Sequence, residues 1–421
     1  MKTLQLIALV VLTACMSCQQ ESMDNHLLQN TTETPETQPF PTRGPGASSY
    51  PANQMIVQYD ASVTESDKQA MRNSYGVSNY KTCSCADPTL ELWIFELDIN
   101  GNLQGGSTIE EVVLGAKDDS GLEGTDLNPI FHHAGQKLNY SFGPADMTVG
   151  LQQTVSTNTD LTIAVLDTGI DYNYYQFTTP FLYHVPNGCT DNGMQDYYGW
   201  DFVNGDNDPY DDHGHGTVIS SMVYGRLTQQ NIPFQILPIK VFDENGDGHY
   251  FDILCGFKYA VNHEDVDMIN MSFGWYNNNY SLLEHFIDAS QNEVLITASA
   301  GNLGQNNDFT PHYPSSYQTP TILSIASIGN NPFSAQLSSF SNYGTVSVDI
   351  AALGEDIPFY LTPNEYILVS GTSYANAFAT AFGGRLFSPG MTPQQHLSEM
   401  LGNTIYSPNL SMLKYHAYIY Y

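Results

Sequence analysis

The sequence predicts an α/β fold with a mostly parallel central sheet between two helical layers, preceded by a small α+β domain. Two observations carry this prediction. From residue 161 onward, short continuous apolar runs alternate with amphipathic helices, as expected for strands buried on both faces of a parallel sheet. Between residues 53 and 133, a shorter series of strand-like and helix-like segments indicates a separate compact unit. We therefore assign 53–133 to the small domain and 134–421 to the large one.

The small domain is expected to follow a βαββαβ order. Three of its strands are predicted at Met55–Tyr59, Leu90–Leu97 and Asn128–His132, the last of which would close the sheet. Its helices are predicted at Thr64–Tyr75 and Ser107–Ala116. This order is typical of a compact α+β domain.

The large domain is expected to contain six buried strands and five helices. The predicted strands are Leu161–Leu166, Ile236–Val241, Asp267–Met271, Val294–Ala298, Thr321–Ile325 and Val348–Ala351. Helices are predicted to begin near His215, Asp252, Ser281, Ser373 and Thr392. Sites in such folds lie beyond the carboxyl ends of the strands, so residues that follow these runs are the candidates for chemistry.

The N-terminus has the pattern of an export signal. The apolar stretch Leu4–Leu12 is of signal-peptide length and shorter than the ~20 residues that span a bilayer, so we assign 1–18 to a signal peptide. Cys15 stands where bacterial lipoproteins carry their lipidated cysteine, and ordinary cleavage near Ala14 is the alternative. Residues 19–52, rich in Gln, Thr, Pro, Ser and Glu, are expected to be a flexible linker. The protein is therefore expected to be exported, either secreted or lipid-anchored at the cell envelope.

Charge excludes one class of partner. Acidic residues outnumber basic ones 44 to 12, and the net charge of −32 repels phosphate backbones and anionic lipids. Nucleic acid is therefore not an expected partner. A solubilising surface is the simplest explanation of the charge, and we expect a monomer.

The cysteines leave the disulfide pattern open. Cys83 and Cys85 are too close together for most structural bridges with each other. Cys189 and Cys255 are the remaining pair after the signal region. They could form a disulfide after export or remain as buried or free thiols, and the spacing favours neither alternative.

An acid and a histidine stand at expected site positions. Asp167 follows a buried strand and is well placed to orient an imidazole, although aspartate in that position is commonly a turn residue. His215 lies between two glycines at the start of a predicted helix, which leaves its ring unhindered. With His213 it could instead form a metal-binding pair, but no third histidine is obviously placed to join them.

A serine completes the set. The Gly-Thr-Ser turn at residues 371–373 opens a helix, so the hydroxyl of Ser373 lies near unpaired N–H groups at a positive helix end. A simple N-cap is the alternative role for this serine.

Together these segments resemble the subtilisin superfamily. The order Asp, His, Ser and the intervals between them are similar to those of that family. Four accessory segments match in order: Ile239–Val241 with Gly246–Gly248, Asn270–Gly274, Ala300–Asn302 and Tyr313–Tyr317. The resemblance extends over the peptidase domain, and residues 53–133 resemble the family's propeptide.

The resemblance implies a three-layer subtilisin-like fold and a serine endopeptidase that needs no organic cofactor. Asp167, His215 and Ser373 would be its catalytic triad, and Asn302 would stabilise the oxyanion. The implied substrate-binding residues are Gly246, Asp247, Gly248, Ser272, Phe273, Gly274 and Gly301. Its partners would be protein or peptide substrates and its own propeptide, as in a self-processing proenzyme cut between Pro129 and Ser141.

Three alternatives to this function stay open. Residues 53–133 could be a fused domain that is never removed. The fold could serve as a non-catalytic binding module or as an esterase. Ala377 replaces the proline that commonly follows the nucleophile in the same helix, which bears on the position of Ser373.

A calcium site is predicted in the acidic loop before His215. Oxygen-bearing side chains at Asp201, Asn204, Asp206 and Asp208, with a glycine for a sharp turn, suit Ca²⁺. A solvated acidic loop is the alternative.

Overall fold

The structure, a computed structural model, describes residues 50–420 except 84, 104, 134, 136, 139–160, 185–187, 189, 192, 264, 277 and 330–334. The predicted signal peptide 1–18, nearly all of the linker 19–52, Cys15 and Cys189 lie outside the described residues. No helix of the described residues is long and apolar enough to cross a membrane.

The described elements are, in chain order, as follows. The strands are β1 (Gln54–Tyr59), β2 (Asn79–Cys83), β3 (Asp87–Ile94), β4 (Leu122–Leu127), β5 (Ile130–His132), β6 (Thr162–Asp167), β7 (Thr190–Asp191), β8 (Met194–Gln195), β9 (Trp200–Asp201), β10 (Gln235–Lys240), β11 (Asp247–His249), β12 (Met268–Met271), β13 (Trp275–Tyr276), β14 (Leu295–Ser299), β15 (His312–Tyr313), β16 (Ile322–Ile328), β17 (Ile350–Leu353), β18 (Ile357–Thr362), β19 (Glu365–Val369), β20 (Ile405–Tyr406) and β21 (Ala417–Tyr418). The helices are α1 (Glu65–Tyr75), α2 (Ile109–Ala116), α3 (His215–Gln229), α4 (Tyr250–Asn262), α5 (Ser281–Ala289), α6 (Thr372–Leu386) and α7 (Pro393–Gly402), with a 3₁₀ turn at Pro408–Leu410.

The small N-terminal domain is an antiparallel sheet in the order β2-β3-β1-β4 with two helices, which confirms the predicted α+β class. Each helix begins with a capping box, formed by Thr64 with Asp67 in α1 and by Thr108 with Glu111 in α2. These reciprocal hydrogen bonds satisfy N–H groups of the first turn that have no partner within the helix.

The strand that closes this sheet differs from the prediction. β4 pairs with β1, whereas the predicted closing strand, β5, leaves the sheet and pairs with β11 of the large domain. The apolar pattern of β4 is weak because it buries the polar side chains of Thr125 and Asp126, each of which finds a hydrogen-bond partner outside the strand. Alternation of apolar residues therefore could not reveal it.

The large domain contains, in the described part of the chain, a nine-stranded sheet in the order β20-β21-β17-β16-β14-β12-β6-β10-β9. All neighbouring strands are parallel except β20, which runs antiparallel to β21. All six predicted strands are present, and the five predicted helices begin at or close to the expected residues. This is the predicted mostly parallel sheet.

Helices cover both faces of the sheet. In β6, Ala164 and Leu166 point into an apolar cluster with α4 and α5, while Ile163 and Val165 point into a second cluster with α3, α6 and α7. Alternate residues of one strand therefore serve opposite layers, as expected for a buried parallel strand. The three-layer α/β architecture is confirmed.

The N-terminal domain packs on α4 and α5. Ile56, Leu90 and Leu92 of its sheet share one buried cluster with the apolar residues of these two helices. A disulfide joins Cys83 at the end of β2 to Cys255 in α4, with a Cα–Cα distance of 5.4 Å.

This bond corrects both expectations for Cys255, which is neither paired with Cys189 nor free. The two cysteines are 172 residues apart and meet only because the domains dock, so spacing could not predict the pair.

Candidate active site

Four candidate residues meet at the carboxyl edge of the parallel sheet. Asp167 is the last residue of β6, and Asn302 follows the end of β14. His215 is the first residue of α3, and Ser373 lies in the first turn of α6. This is the position at which α/β folds place their sites.

Asp167 and His215 form a buried pair. The imidazole Nδ1 lies 2.8 Å and 3.0 Å from the two carboxylate oxygens of Asp167. The backbone N–H of Thr168 also donates to Asp167 Oδ1 at 2.8 Å. A carboxylate held in this way fixes both the orientation and the tautomer of the imidazole.

Asp211, which the sequence analysis did not single out, organises the turn that carries His215. Its Oδ1 accepts hydrogen bonds from the N–H groups of His213 and Gly214, and its Oδ2 accepts from the N–H and hydroxyl of Thr217. The hydroxyl of Thr168, next to Asp167, also donates to Asp211. Asp211 therefore ties the start of α3 to the end of β6. The signal that the sequence offered was the place of this acid, four residues before His215 in the same segment.

The Ser373 hydroxyl is not hydrogen-bonded to His215 in this structure. Its hydroxyl donates to the carbonyl oxygen of Ser272 at 2.9 Å. His215 Nε2 is buried and has no hydrogen-bond partner among the described residues. Serine and histidine thus lie in one site without the hydrogen bond between them.

The last strand of the N-terminal domain lies along the predicted substrate-binding residues, whose groove we call the cleft. β5 pairs antiparallel with β11, so that Phe131 faces Gly248 and His132 faces Asp247. The N–H of His133 continues the ladder by donating to the carbonyl oxygen of Gly246 at 2.6 Å. Gly246, Asp247 and Gly248, predicted to bind substrate, therefore pair with an extended segment of the N-terminal domain by strand addition.

The His133 side chain lies against the buried pair formed by Asp167 and His215. Its ring centroid is 3.9 Å from that of His215, and its Nε2 is 4.0 Å from Asp167 Oδ2. These three side chains are the described group whose ligand atoms all lie within 4.8 Å of one another. His133 is the third histidine that the sequence did not reveal, because only docking of the N-terminal domain brings it to His213 and His215.

The chain continues past His215 on the other side. A Cβ at Gly135 would lie 2.4 Å from the His215 ring, so glycine is required there in this arrangement. Further along, the N–H of Leu138 donates to the carbonyl oxygen of His213 at 3.0 Å. The polypeptide on both sides of residue 134 therefore contacts the site.

An aromatic pocket holds Phe131. Its ring stacks on Trp275 with centroids 4.2 Å apart and planes 8° apart, and it also contacts Tyr250 and Tyr280. Phe273, a predicted substrate-binding residue, instead packs against Phe242 with centroids 5.0 Å apart. Phe131 and Phe273 thus lie in one buried cluster, Phe131 against Trp275 and Phe273 against Phe242.

Asn302 is held in one orientation. Its Oδ1 accepts from the N–H of Thr372 at 2.8 Å and from the Thr372 hydroxyl at 2.9 Å. These two bonds engage its oxygen, so the Nδ2 group is the end of the amide that remains to donate elsewhere. Gly301 beside it has φ +104°, and a Cβ there would lie 2.5 Å from Asn342 Nδ2, so no other residue fits.

The remaining predicted cleft residues follow β12. Ser272 supplies the carbonyl oxygen that engages Ser373, and its own hydroxyl donates to Asn270 Oδ1 at 2.8 Å. A Cβ at Gly274 would lie 2.2 Å from His312 and 2.4 Å from the Tyr313 carbonyl oxygen. Glycine is therefore needed where this segment passes the loop that contains Tyr313.

Burial keeps the imidazoles neutral. It lowers the pKa of His215 to about 3, with the nearby His213 adding to the effect, and it lowers the pKa of His133 well below 6.5. Burial also raises the pKa of Asp167. A neutral imidazole with a free Nε2 is the form that can accept a proton from a serine hydroxyl.

The predicted calcium ligands form a hydrogen-bonded turn. Both carboxylate oxygens of Asp201 accept from Asn204, through its N–H and its Nδ2, and Asp208 accepts from the Tyr172 hydroxyl. Asp206 accepts from the N–H of Asp208. Asn204 thus turns its donor, not its oxygen, toward Asp201.

Comparisons with known proteins agree with this geometry. The model of the subtilase family matches residues 158–415. A thermophilic serine proteinase from Bacillus sp. (strain AK1) is 28% identical over 67% of this chain and 67% of its own length. Thermitase from Thermoactinomyces vulgaris is 28% identical over 59% of this chain and 82% of its own length. The cell wall-associated protease of Bacillus subtilis (strain 168) is 32% identical over 54% of this chain, which corresponds to 24% of that longer protein.

A solved structure described as that of a cold adapted subtilisin-like serine proteinase matches 58% of this chain and 82% of its own, at 24% identity and a TM-score of 0.45. The family model covers more than half of the chain and includes the strand that ends at Asp167, the helix that begins at His215 and the turn before Ser373. The chain belongs to the subtilase family, and it is a serine endopeptidase.

Proposed function

We propose that this peptidase is made as a self-processing proenzyme whose triad is Asp167, His215 and Ser373 and whose propeptide is residues 53–133. The observation that carries the proposal is the substrate-like course of β5 and the residues after it, which pair with β11 and then cross His215.

In the proposed reaction, His215 Nε2 removes the proton of the Ser373 hydroxyl as its oxygen attacks the scissile carbonyl carbon. Asp167 stabilises the imidazolium that forms. The tetrahedral oxyanion accepts hydrogen bonds from Asn302 Nδ2 and the Ser373 N–H. Collapse breaks the C–N bond, the amine leaves with the proton from His215, and water then hydrolyses the acyl-enzyme by the reverse sequence of proton transfers. Ser373 must first rotate from Ser272 toward His215.

The bond between Ala134 and Gly135 is the proposed processing site. Its neighbours on both sides, the His133 ring and Gly135, contact His215. This bond lies inside the window from Pro129 to Ser141 that the sequence predicts.

The contacts of the N-terminal domain support a role in folding the large domain. Neither α4 nor α5 has a side-chain cap of its own. Asn128 Oδ1 accepts from the N–H of Phe251 at 2.9 Å, and Asp126 accepts from the N–H of Leu282 at 2.8 Å. One such cap typically contributes ~1 kcal/mol. The N-terminal domain thus satisfies one N–H in the first turn of each of these two helices.

Expression of the full chain tests the proposal. We expect the wild type to be cut between Ala134 and Gly135, as shown by mass spectrometry under reducing conditions, and Ser373→Ala to remain intact. Ser370→Ala is the matched control and should be processed. In the wild type, the Ser370 hydroxyl accepts a hydrogen bond from the Asp356 N–H. An intact wild type would support a permanently fused domain or a non-catalytic module instead.

Removal of the oxyanion donor should lower turnover specifically. We expect Asn302→Leu to reduce kcat on a peptide substrate by ~10²–10³ with little change in KM, because the lost hydrogen bond forms only with the transition state. Steady-state kinetics on the processed enzyme check this. A rise in KM with unchanged kcat would contradict the role of Asn302.

Acidification should weaken the docking of the N-terminal domain. His133 is neutral when docked, because its pKa lies well below 6.5, and returns to about 6.5 when exposed. Below pH 6.5 the separated state therefore binds more protons than the docked state, so separation becomes easier as pH falls. Above pH 6.5 the two states bind equal numbers of protons at His133, and separation does not depend on pH. For His133 alone, the equilibrium constant for separation is expected to be about thirtyfold larger at pH 5 than at pH 8.

His133 faces Asp167, His213 and His215, and the raised pKa of Asp167 acts in the opposite direction. The separated fraction of processed, reduced protein, measured by sedimentation between pH 8 and 5, checks the prediction. His133→Gln should remove most of the dependence. An unchanged pH profile in that variant would show that other groups are responsible.

Calcium binding at Asp201, Asn204, Asp206 and Asp208 stays a prediction. A melting temperature that falls on treatment of the processed protein with EDTA, and no longer does so in Asp206→Asn, would support it. A melting temperature that EDTA leaves unchanged would contradict it.

Export is the remaining part of the proposal. It is supported by the signal-like residues 1–18 and by a relative described as cell wall-associated. Incorporation of labelled palmitate that Cys15→Ser abolishes would distinguish lipid anchoring from secretion.

A further inference from the structure

We infer that the Cys83–Cys255 disulfide keeps the N-terminal domain attached to the peptidase domain after the chain between them is cut, so that reduction of this bond frees the cleft. The inference rests on the proposed function, because it concerns the state that follows processing.

The bond joins the two sides of the cut. Cys83 lies at the end of β2 in the N-terminal domain, and Cys255 lies in α4 of the peptidase domain, 172 residues later. Cleavage after residue 134 separates these two cysteines in the chain but leaves the covalent bond. The processed protein would therefore be two polypeptides joined by a disulfide.

Non-covalent contacts surround the bond on the same face of α4. Lys258 forms an ion pair with Asp87 at 3.0 Å, and Asn262 Nδ2 donates to the carbonyl oxygen of Ala86. Both cysteines are buried, with 3% and 1% of their surface exposed. A reductant therefore reaches the sulfurs mainly when this interface opens, which makes the tether durable in the docked state.

The disulfide changes how inhibition of the peptidase by its N-terminal domain responds to dilution. A domain held by a covalent bond has an effective concentration on the order of mM, whatever the protein concentration. β5 and His133 then rebind the cleft each time they dissociate. Without the bond, the two parts separate once the protein is diluted below their dissociation constant.

The chemical step is a thiol–disulfide exchange. A dithiol reductant attacks one sulfur, the Cys83–Cys255 bond breaks, and the reductant closes to its own disulfide while the two cysteines leave as thiols. Two electrons and two protons pass from the dithiol to the protein.

Dilution of processed protein with and without dithiothreitol tests the inference. Without reductant, we expect a single band on a non-reducing gel and a specific activity on a small peptide substrate that does not change with dilution. With dithiothreitol, we expect two bands and a specific activity that rises about threefold for each tenfold dilution above the dissociation constant and levels off below it.

The double variant Cys83→Ser/Cys85→Ser removes both cysteines of the N-terminal domain and should show the dilution response without reductant. Cys255→Ser changes the other side and guards against misfolding of the small domain. Wild-type protein that separates without reductant, or that responds to dilution as the variants do, would overturn the inference.

A separate arm distinguishes failure of this inference from failure of self-processing. In Ser373→Ala, a recognition sequence for an unrelated endoprotease is inserted between Met147 and Thr148, and that protease supplies the cut. We expect the two pieces to stay together on a non-reducing gel and to separate with dithiothreitol. Separation without reductant overturns the tether even if the chain never cuts itself.

Discussion

Replacement of Ser373 by alanine is expected to lower turnover of casein by about 10⁶-fold, to the level left by binding and the oxyanion donors. The reason is that the Ser373 hydroxyl oxygen is the proposed nucleophile. The neighbouring hydroxyl in the first turn of α6, that of Thr372, is engaged with Asn302 Oδ1 at 2.9 Å. Initial rates on casein check the result, measured for reduced Ser373→Ala protein that has been cut at the inserted recognition sequence and purified from the unrelated endoprotease.

Ser370→Ala again provides the control, since Ser370 lies in the same loop and its hydroxyl accepts from the Asp356 N–H. It should keep activity within about threefold of wild type, as expected for a surface substitution. Substantial casein turnover by Ser373→Ala would move the nucleophile elsewhere, and an inactive wild type would favour the binding module.

Replacement of Asp167 by asparagine is expected to lower kcat by about 10⁴-fold while the fold is retained. The carboxylate accepts from His215 Nδ1 at 2.8 Å, which leaves Nε2 without a proton and able to act as a base. An asparagine amide can present its NH₂ group to Nδ1, which then favours the tautomer with the proton on Nε2. The imidazole would keep its place but lose its function.

Asp212→Asn is the matched control for this variant. Asp212 is in the same segment as His215, but its half-exposed carboxylate pairs with Lys240 at 2.7 Å. It should lower kcat by less than about tenfold, because the buried Lys240 ammonium keeps the Thr168 carbonyl oxygen as an acceptor at 2.9 Å when the charge of Asp212 is removed. Equal losses in Asp167→Asn and Asp212→Asn, with equal losses of melting temperature, would point to a general effect on folding and contradict the assigned role.

Local patterns were enough to predict the sheet and the residues at its carboxyl edge. Asp167 follows a continuous apolar strand, and His215 and Ser373 each open a helix after a glycine turn, so each position could be identified within its own segment. Parallel strands bring such segments to one edge by their topology. The meeting of Asp167, His215 and Asn302 at one edge follows from this, and their roles remain part of the proposal.

Features that depend on domain docking could not be predicted in this way. His133 reaches His215, and Cys83 reaches Cys255, only because the N-terminal sheet packs on α4 and α5. β4 was not predicted because its residue Asp126 accepts a hydrogen bond from the neighbouring helix α5 and interrupts the apolar pattern of its own strand. In each case the partner lies across the interface, where neither periodicity nor spacing along the chain carries information.

Covalent labelling tests the central claim most directly. The full-length protein, processed and held in dithiothreitol, is treated with a serine-directed fluorophosphonate, digested and mapped by mass spectrometry. The account predicts one adduct, on the Ser373 hydroxyl, and its loss in Asp167→Asn, where His215 no longer activates the serine. An adduct on another serine, or no adduct on protein that has been cut after Ala134, would contradict it.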